Sequence, residues 1–442
     1  MKRILLCGAG KSATVLIDYL LSYAPTEDWK LTVADANLQL AREKVGHSTH
    51  GEAVSFDITD ETKRREYITG ADIVISMLPP FLHTQLAKDC VALSRNLLTA
   101  SYVDEEMRGM AEMISRKGLL FLCEMGLDPG IDHMSAMRII DDVKDKGGKI
   151  TSFKSHCGGL VAPESDTNPW HYKISWNPRN IVMAGKAGAI YKNEDAIIKK
   201  SYETLFENSE TVHVKGNETY AYYPNRDSLS YMPVYGLDDT HTFLRTTLRH
   251  PAFCKGWNYI VKAGLTHEEP FAGKALNKMT YRQALDAIIA GNKIAGDFEE
   301  FRTTVVDAGE RNLVTTLFTY LGLMGEGPVP DPVKSPADLL QYAVEHTLML
   351  QPQDKDMIVM LHQFEYMIDG SKKILDSSLV VKGEDSLRTA MAKTVGLPLG
   401  IAARLILNGQ IDLTGLHIPT HKKIYGPVLK ELEEYGIRFQ EN

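Results

Sequence analysis

Arg3-Ile4-Leu5-Leu6-Cys7-Gly8-Ala9-Gly10-Lys11-Ser12-Ala13 is the stretch that decides the fold. Residues 3–7 are a short apolar run, as a buried strand requires. Val15, Leu16, Tyr19, Leu20 and Leu21 then lie on one helical face. Between strand and helix stands G-x-G-x-x-A. Gly8 and Gly10 permit a tight turn and a close backbone approach to a pyrophosphate, and the small Ala13 lets helix pack on strand. The first N–H groups of the helix then face the phosphates. Lys11-Ser12 mimics the end of a P-loop, but the spacing G-x-x-x-x-G-K-S is absent, which argues against an ATPase.

The pattern repeats outward. Residues 30–34 form a second strand ending in Asp35, at the distance from the glycines expected of a carboxylate on the adenine ribose. Residues 53–56 end in Asp57-Ile58, 72–78 in Pro79-Pro80, and 96–100 in Ser101-Tyr102; a sixth strand covers 119–123. Helical segments, such as 38–45 and 82–93, lie between. Alternation of helices with near-continuous apolar strands predicts a doubly wound parallel sheet. Ligands bind beyond the carboxyl ends of such strands, which puts Gly10, Asp35, Asp57, Leu78 and Ser101 along one edge. A carboxylate at Asp35 accepts hydrogen bonds from a ribose diol and repels a 2′-phosphate, so it favours NAD over NADP. The bland alternative for Asp57 is a solvated loop residue.

After the sixth strand comes Gly126-Leu127-Asp128-Pro129-Gly130-Ile131-Asp132-His133, a constrained turn before a helix. It carries polar groups where the nucleotide half ends. From Lys149 the texture changes to an alternating strand, 150–157, and loops rich in Trp, Tyr and His. Two segments, 222–228 and 244–250, carry Arg226, Arg245 and Arg249 beside Thr, Asn and Tyr, the equipment for gripping carboxylates in a fork. Residues 269–346 read as mostly helical, 356–362 and 373–381 as paired strands, and 389–407 as a small-residue helix that packs on the nucleotide domain.

Bulk properties narrow the classes. A net charge of −8 gives no general basis for binding nucleic acid or an anionic membrane. Five scattered cysteines with no CxxC pair point to reduced thiols in a cytoplasm and to no zinc site or other metal. No apolar run is read as membrane-spanning, and no repeat is seen.

Ordered along the chain, several motifs resemble the glutamate-forming saccharopine dehydrogenase (saccharopine reductase) family. They are Gly8-Ala9-Gly10, Leu78-Pro79, Thr99-Ala100-Ser101-Tyr102, Gly126 to Met134, Cys157-Gly158-Gly159-Leu160-Val161-Ala162-Pro163-Glu164, Asn168-Pro169, Tyr172-Lys173-Ile174-Ser175-Trp176, Tyr223-Pro224-Asn225-Arg226-Asp227-Ser228, Thr247-Leu248-Arg249, Lys355 to Met360 and Ala390 to Pro398. The resemblance covers essentially the whole chain. It implies an α/β architecture: a Rossmann domain (1–129 and 388–442), a substrate domain with a mixed sheet (130–268 and 350–387), a helical subdomain (269–349), and a homodimer.

The resemblance also implies cofactor contacts at Gly8, Gly10, Lys11, Ser12, Ala13, Ala34, Asp35, Asp57, Ile58, Leu78, Ala100, Ser101, Leu127, Asp128, Pro129 and Ser175. Substrate contacts fall at Ser101, Tyr102, Asp128, Arg226, Thr247, Leu248 and Arg249. Fungal members that use NADP carry an Arg near the 2′-phosphate, where Asp35 stands here as in NAD-using animal relatives. The expected reaction interconverts saccharopine with glutamate and 2-aminoadipate 6-semialdehyde through a nicotinamide cofactor, NAD or alternatively NADP. Tyr102 and Asp128 are the catalytic candidates. Asp128 either moves a proton or holds the substrate ammonium. Asp132 and His133 read as structural, Cys157 as a wall residue, and Glu124 as a candidate buried carboxylate. Two rivals stay open: a carboxynorspermidine-type amine–aldehyde coupling, and a non-catalytic NAD-binding sensor.

Overall fold

Ile4, Leu5, Leu6 and Cys7 are shut off from solvent, and the strand they form, β1 (Lys2–Cys7), lies inside a seven-stranded sheet. The computed structural model describes every residue except 215, 217, 273 and 274. β1 pairs in parallel with β2 (Trp29–Ala34) on one side and with β4 (Ile73–Ser76) on the other. β3 (Gly51–Val54) follows β2, while β5 (Asn96–Thr99), β6 (Leu120–Leu122) and a late strand, Gly415–His417, follow β4. The chain thus reverses its direction of travel across the sheet between β1 and β4, the place where such sheets open a ligand crevice.

Two compact units divide the chain. The first holds residues 1–150, 366–373 and 379–441. The helix after the Gly-Pro-Gly turn, Ile131–Asp145, belongs to it, and the unit's first segment runs on to Ile150. The helix Ala390–Leu407 belongs to it as well. That helix is long and apolar enough to cross a membrane by length and composition, contrary to the reading that no run is, but 67% of it is buried in the protein. Its glycines bring it against the helix Thr14–Glu27. A Cβ on Gly396 would lie 2.8 Å from the Leu16 amide nitrogen, and one on Gly400 would lie 2.5 Å from the Tyr19 ring.

The second unit holds residues 151–365 with 374–378 and Asn442. Its sheet runs Glu210–His213, Thr219–Pro224, Thr242–Arg249, Lys149–Val161, Asp356–Ile368, Ser371–Lys382. The sheet is mixed: Thr242–Arg249 is parallel to Lys149–Val161 and antiparallel to Thr219–Pro224. The helical segment is no separate body. Helices Tyr281–Gly291, Arg311–Tyr320 and Pro336–Thr347 share one core with Trp170, Tyr172, Tyr223 and Trp257.

Two stability predictions follow from this packing. Gly396→Ala forces the two helices apart and should cost about 1–3 kcal/mol; an unchanged midpoint in urea would refute the close approach. The second concerns histidines. Burial pulls His83 and His250 down to about 4 and His156 to about 3. In the unfolded chain they protonate near pH 6.5, so between there and about 4 the unfolded state binds more protons. Stability is therefore full at neutral pH and falls as pH drops through that window. Calorimetry should show the loss, less steep in His156→Gln. A melting temperature flat from pH 7 to 5 would contradict it.

Candidate functional site

The first unit gathers its candidates at the carboxyl edge of the parallel sheet. β1 ends at Gly8, whose φ of +103° and the closeness of the Met77 carbonyl, 2.8 Å from any added Cβ, leave room for glycine alone. Gly10 is different. It is exposed, and a Cβ built on it would meet nothing within 4 Å. No neighbour in the fold demands glycine there, so its bareness leaves an open cradle that suits a pyrophosphate. Lys11–Ala13 makes a 3₁₀ turn that feeds the helix Thr14–Glu27, with Lys11 exposed, Ser12 half-buried and Ala13 buried. The residues present fit a dinucleotide.

Asp35 follows the buried Ala34 at the end of β2. Its Oδ2 accepts the Ala9 N–H at 2.7 Å, and its Oδ1 accepts the Asn37 N–H at 2.8 Å. Lys44, which sequence reasoning missed, grips the same loop: Nζ donates to the Gly10 carbonyl at 2.5 Å and to Thr14 Oγ1 at 2.7 Å. Burial lowers the Lys44 ammonium to about 8, against the pull of Asp35 and Asp18. Asp57 is fully exposed, and its Oδ1 accepts both the N–H and the O–H of Thr59, which hold the carboxyl below its usual range. That carboxylate closes its own turn, as the bland reading has it. Ile58 is half-buried and its carbonyl accepts from Arg64 Nη1 at 2.6 Å.

Beyond β4 and β5 lie the half-buried Leu78, Ala100, Ser101 and Tyr102. The turn after β6 is laced to them: the Glu124 N–H donates to the Ser101 carbonyl and the Met125 N–H to the Thr99 carbonyl, each at 3.0 Å. The turn then closes on itself through Gly126 N–H to the Pro129 carbonyl at 3.0 Å, with a cis bond between Asp128 and Pro129. A Cβ on Gly130 would sit 2.0 Å from the Gly126 carbonyl oxygen, so only glycine fits. From Leu119 to Ile131 every residue is buried but one, and that one is Asp128. Leu127 and Pro129 offer mainly backbone at the same edge. Glu124 is buried as expected: its Oε2 bonds His133 Nε2 at 2.8 Å and its Oε1 accepts the Val103 N–H. Asp132 accepts the Gly130 N–H at 2.6 Å. These three side chains hold the turn.

A residue that sequence reasoning passed over stands in the same place. His83, in the helix Pro80–Ala92, bonds Ser76 Oγ through Nδ1 at 2.7 Å and Ser101 Oγ through Nε2 at 2.6 Å. The only signal was a histidine one turn into a helix that starts at a strand's carboxyl end.

In the second unit Arg249 ends the strand Thr242–Arg249. It is 5% exposed and lies over the rings of Tyr172 and Phe253 at 5.2 and 5.5 Å. Nη1 donates to the carbonyls of Leu248 and Gly159, Nε has no partner, and no carboxylate among the described residues pairs with it. Thr247 is half-buried and stands opposite Tyr223. Leu248 departs from expectation. Strand alternation turns its side chain to the other face, where it is 0% exposed in an apolar cluster with Leu244 and Val359, so it offers a ligand no side chain. Arg226 is exposed, with φ at +53°, a left-handed conformation that costs an ordinary residue about 1–2 kcal/mol. Pairing of Pro224 with Thr246 puts it some five positions, about 16 Å, along the ladder from Arg249. Ser175 is buried beside the bridge from Ile174 to Met349 and belongs to this second unit.

Comparison with known proteins places the division earlier, between residues 122 and 126. The family model for the saccharopine dehydrogenase NADP binding domain matches residues 4–122, and that for the saccharopine dehydrogenase C-terminal domain matches residues 126–437. The mouse mitochondrial alpha-aminoadipic semialdehyde synthase is 33% identical over 99% of this chain, and the chain spans 47% of that relative's length. The saccharopine dehydrogenase [NADP(+), L-glutamate-forming] of Saccharomyces cerevisiae is 31% identical, with 100% of this chain and 99% of that protein covered. The solved apo structure of saccharopine dehydrogenase (L-Glu forming) from the same yeast superposes with a TM-score of 0.89 over 100% of this chain and 99% of that one, at 31% identity. The chain belongs to the saccharopine dehydrogenase family.

Proposed function

We propose that the protein interconverts saccharopine with glutamate and 2-aminoadipate 6-semialdehyde. The observation that carries this reading is Arg249, a buried guanidinium with an unbonded Nε and no carboxylate partner among the described residues. A buried charge without a counter-ion is costly, and a substrate carboxylate would complete it in a fork geometry. Thr247 and Arg226 are the further candidates for holding so acidic a substrate, and the left-handed strain at Arg226 is the kind found at binding residues. A carboxynorspermidine-type substrate carries a single carboxylate, whereas several arginines favour one with more, and the full-length relative in yeast carries the saccharopine name. A sensor without turnover has no use for Asp128, the one open carboxylate in a buried turn.

Gly8, Gly10, Lys11, Ser12, Ala13, Ala34, Asp35, Leu78, Ala100, Ser101 and the backbone of 127–129 are our candidates to hold the cofactor; Asp57 and Ser175 are weaker ones. When bound, the nicotinamide supplies a hydride acceptor or donor. Asp128 receives the amine proton at its carboxylate or holds the substrate ammonium there, and Tyr102 orients the substrate. A carboxylate at the strand-end position of Asp35 suits a ribose diol and repels a 2′-phosphate; this favours NAD, against the NADP in the names of the matching family model and of the yeast relative. A homodimer in a reducing cytoplasm completes the reading; all five cysteines are buried and outside any disulfide.

The test is turnover. Purified protein with saccharopine and NAD should yield reduced cofactor, glutamate and the semialdehyde; release of lysine and 2-oxoglutarate, or no turnover with either cofactor, would end this assignment. Arg249→Ala should raise KM for saccharopine roughly 10- to 100-fold with little change in NAD affinity. Equal loss of both would count against the carboxylate role. Asp35→Ala should move the preference toward NADP, and a wild-type enzyme that already prefers NADP would refute the reading of Asp35.

A further inference from the structure

Ser76, His83 and Ser101 form a short chain of hydrogen bonds whose inner end is closed. Ser76 is 1% exposed, and its hydroxyl bonds no described group but His83. His83 is 4% exposed, and Ser101 Oγ likewise bonds no described group but His83, though Ser101 is half open to its surroundings. The Ser101 backbone cannot turn. Its N–H donates to Thr99 Oγ1 at 3.2 Å, and its carbonyl accepts the Glu124 N–H at 3.0 Å. Only the direction of the hydroxyl proton is left to choose, and the imidazole chooses it.

Burial keeps His83 neutral at physiological pH, with Asp104 the charged group that opposes the shift. A neutral imidazole has one N–H and one bare nitrogen. If Nδ1 carried the proton, it would donate to Ser76, and the buried Ser76 O–H would have no acceptor, which is costly. The other tautomer satisfies all three groups. Ser76 donates to bare Nδ1, and Nε2–H donates to Ser101 Oγ. The Ser101 O–H is then directed away from the imidazole as a donor.

We propose that His83 is a positioning residue that fixes Ser101 as a hydrogen-bond donor to an oxygen acceptor of the bound ligands, either a substrate carboxylate or the carboxamide of the cofactor. In this arrangement Ser101 does not take a proton from the substrate amine, which leaves that task to Asp128. The proposal rests on the reading that this unit binds the nicotinamide cofactor.

The first test needs no turnover. In ¹⁵N-histidine-labelled full-length protein, the His83 signal, assigned by its loss in His83→Gln, should show a bare Nδ1 and a protonated Nε2 from pH 6 to 8. An Nδ1–H tautomer, or titration near the ordinary histidine value, would overturn the proposal. In Ser76→Ala, which touches no ligand, the same signal should move toward a mixture of tautomers. The second test compares Ser101→Ala, His83→Gln and the double variant. Each should lose about 10- to 100-fold in one binding or kinetic constant, the double no more than Ser101→Ala alone, and Ser101→Thr should restore most of it. A loss in KM for saccharopine identifies the carboxylate, and a loss in NADH affinity, read by fluorescence, identifies the carboxamide. No loss in either for Ser101→Ala would overturn the proposal. Absence of saccharopine turnover would sink the proposed function alone, because tautomer and NADH affinity are read without it.

Discussion

The carboxyl edge of a parallel sheet ends in backbone groups that no further strand can satisfy, and in this protein one turn satisfies those at the ends of β5 and of the strand Gly415–His417. Cys123 donates to the His417 carbonyl, Glu124 to Ser101 and Met125 to Thr99. Each bond ties the end of one strand to the next, so the turn is fixed by three strands at once. Once tied, it must reverse direction in little space. That is why a Cβ on Gly130 would lie 2.0 Å from the Gly126 carbonyl oxygen, while one on Gly126 would press on Ala100 and the Pro129 carbonyl at 3.0 and 3.1 Å. The buried Glu124–His133 pair and Asp132 then brace it from below. A side chain held on such a support has little freedom, and Asp128 is the one the turn presents.

Two buried charges in the molecule are handled in opposite ways. Glu124 has a histidine and a backbone N–H, so its burial is compensated within the fold. Arg249 has two carbonyls and two aromatic rings but no anion, and its Nε is left over. Aromatic faces stabilise a guanidinium modestly and carbonyls share its protons, yet neither supplies the missing charge. The fold therefore keeps an arginine whose compensation must come from outside it.

Most of this architecture is visible in the sequence because a parallel sheet buried on both faces writes itself as apolar runs, each closed by small or polar residues. β1, β2, β4 and β5 lie within two residues of where those runs put them. The strand Gly415–His417 escaped because three residues carry no periodicity. The site was less legible for local reasons. Asp57 matched a strand-end position but spends its carboxylate on Thr59. Leu248 belongs to a motif whose neighbours face the other way. Lys44 and His83 reach the site from helices, where a polar residue looks like any other until the fold shows what it meets.

The division of the chain puts these groups in different frames. Asp35, Ser101, His83 and Asp128 are built on one sheet edge and belong to one compact unit; Arg226, Thr247 and Arg249 belong to the other. Groups in one unit keep their mutual distances through backbone bonds such as Glu124 to Ser101, whatever the other unit does. On the proposed reading, cofactor recognition and proton handling share one set of strand ends, and carboxylate recognition belongs to a second core. Perturbing the turn should disturb both of the first two together, because Asp128 and the Ser101 backbone hang from the same three strand ends. Perturbing the aromatic bed of Arg249 leaves those strand ends untouched.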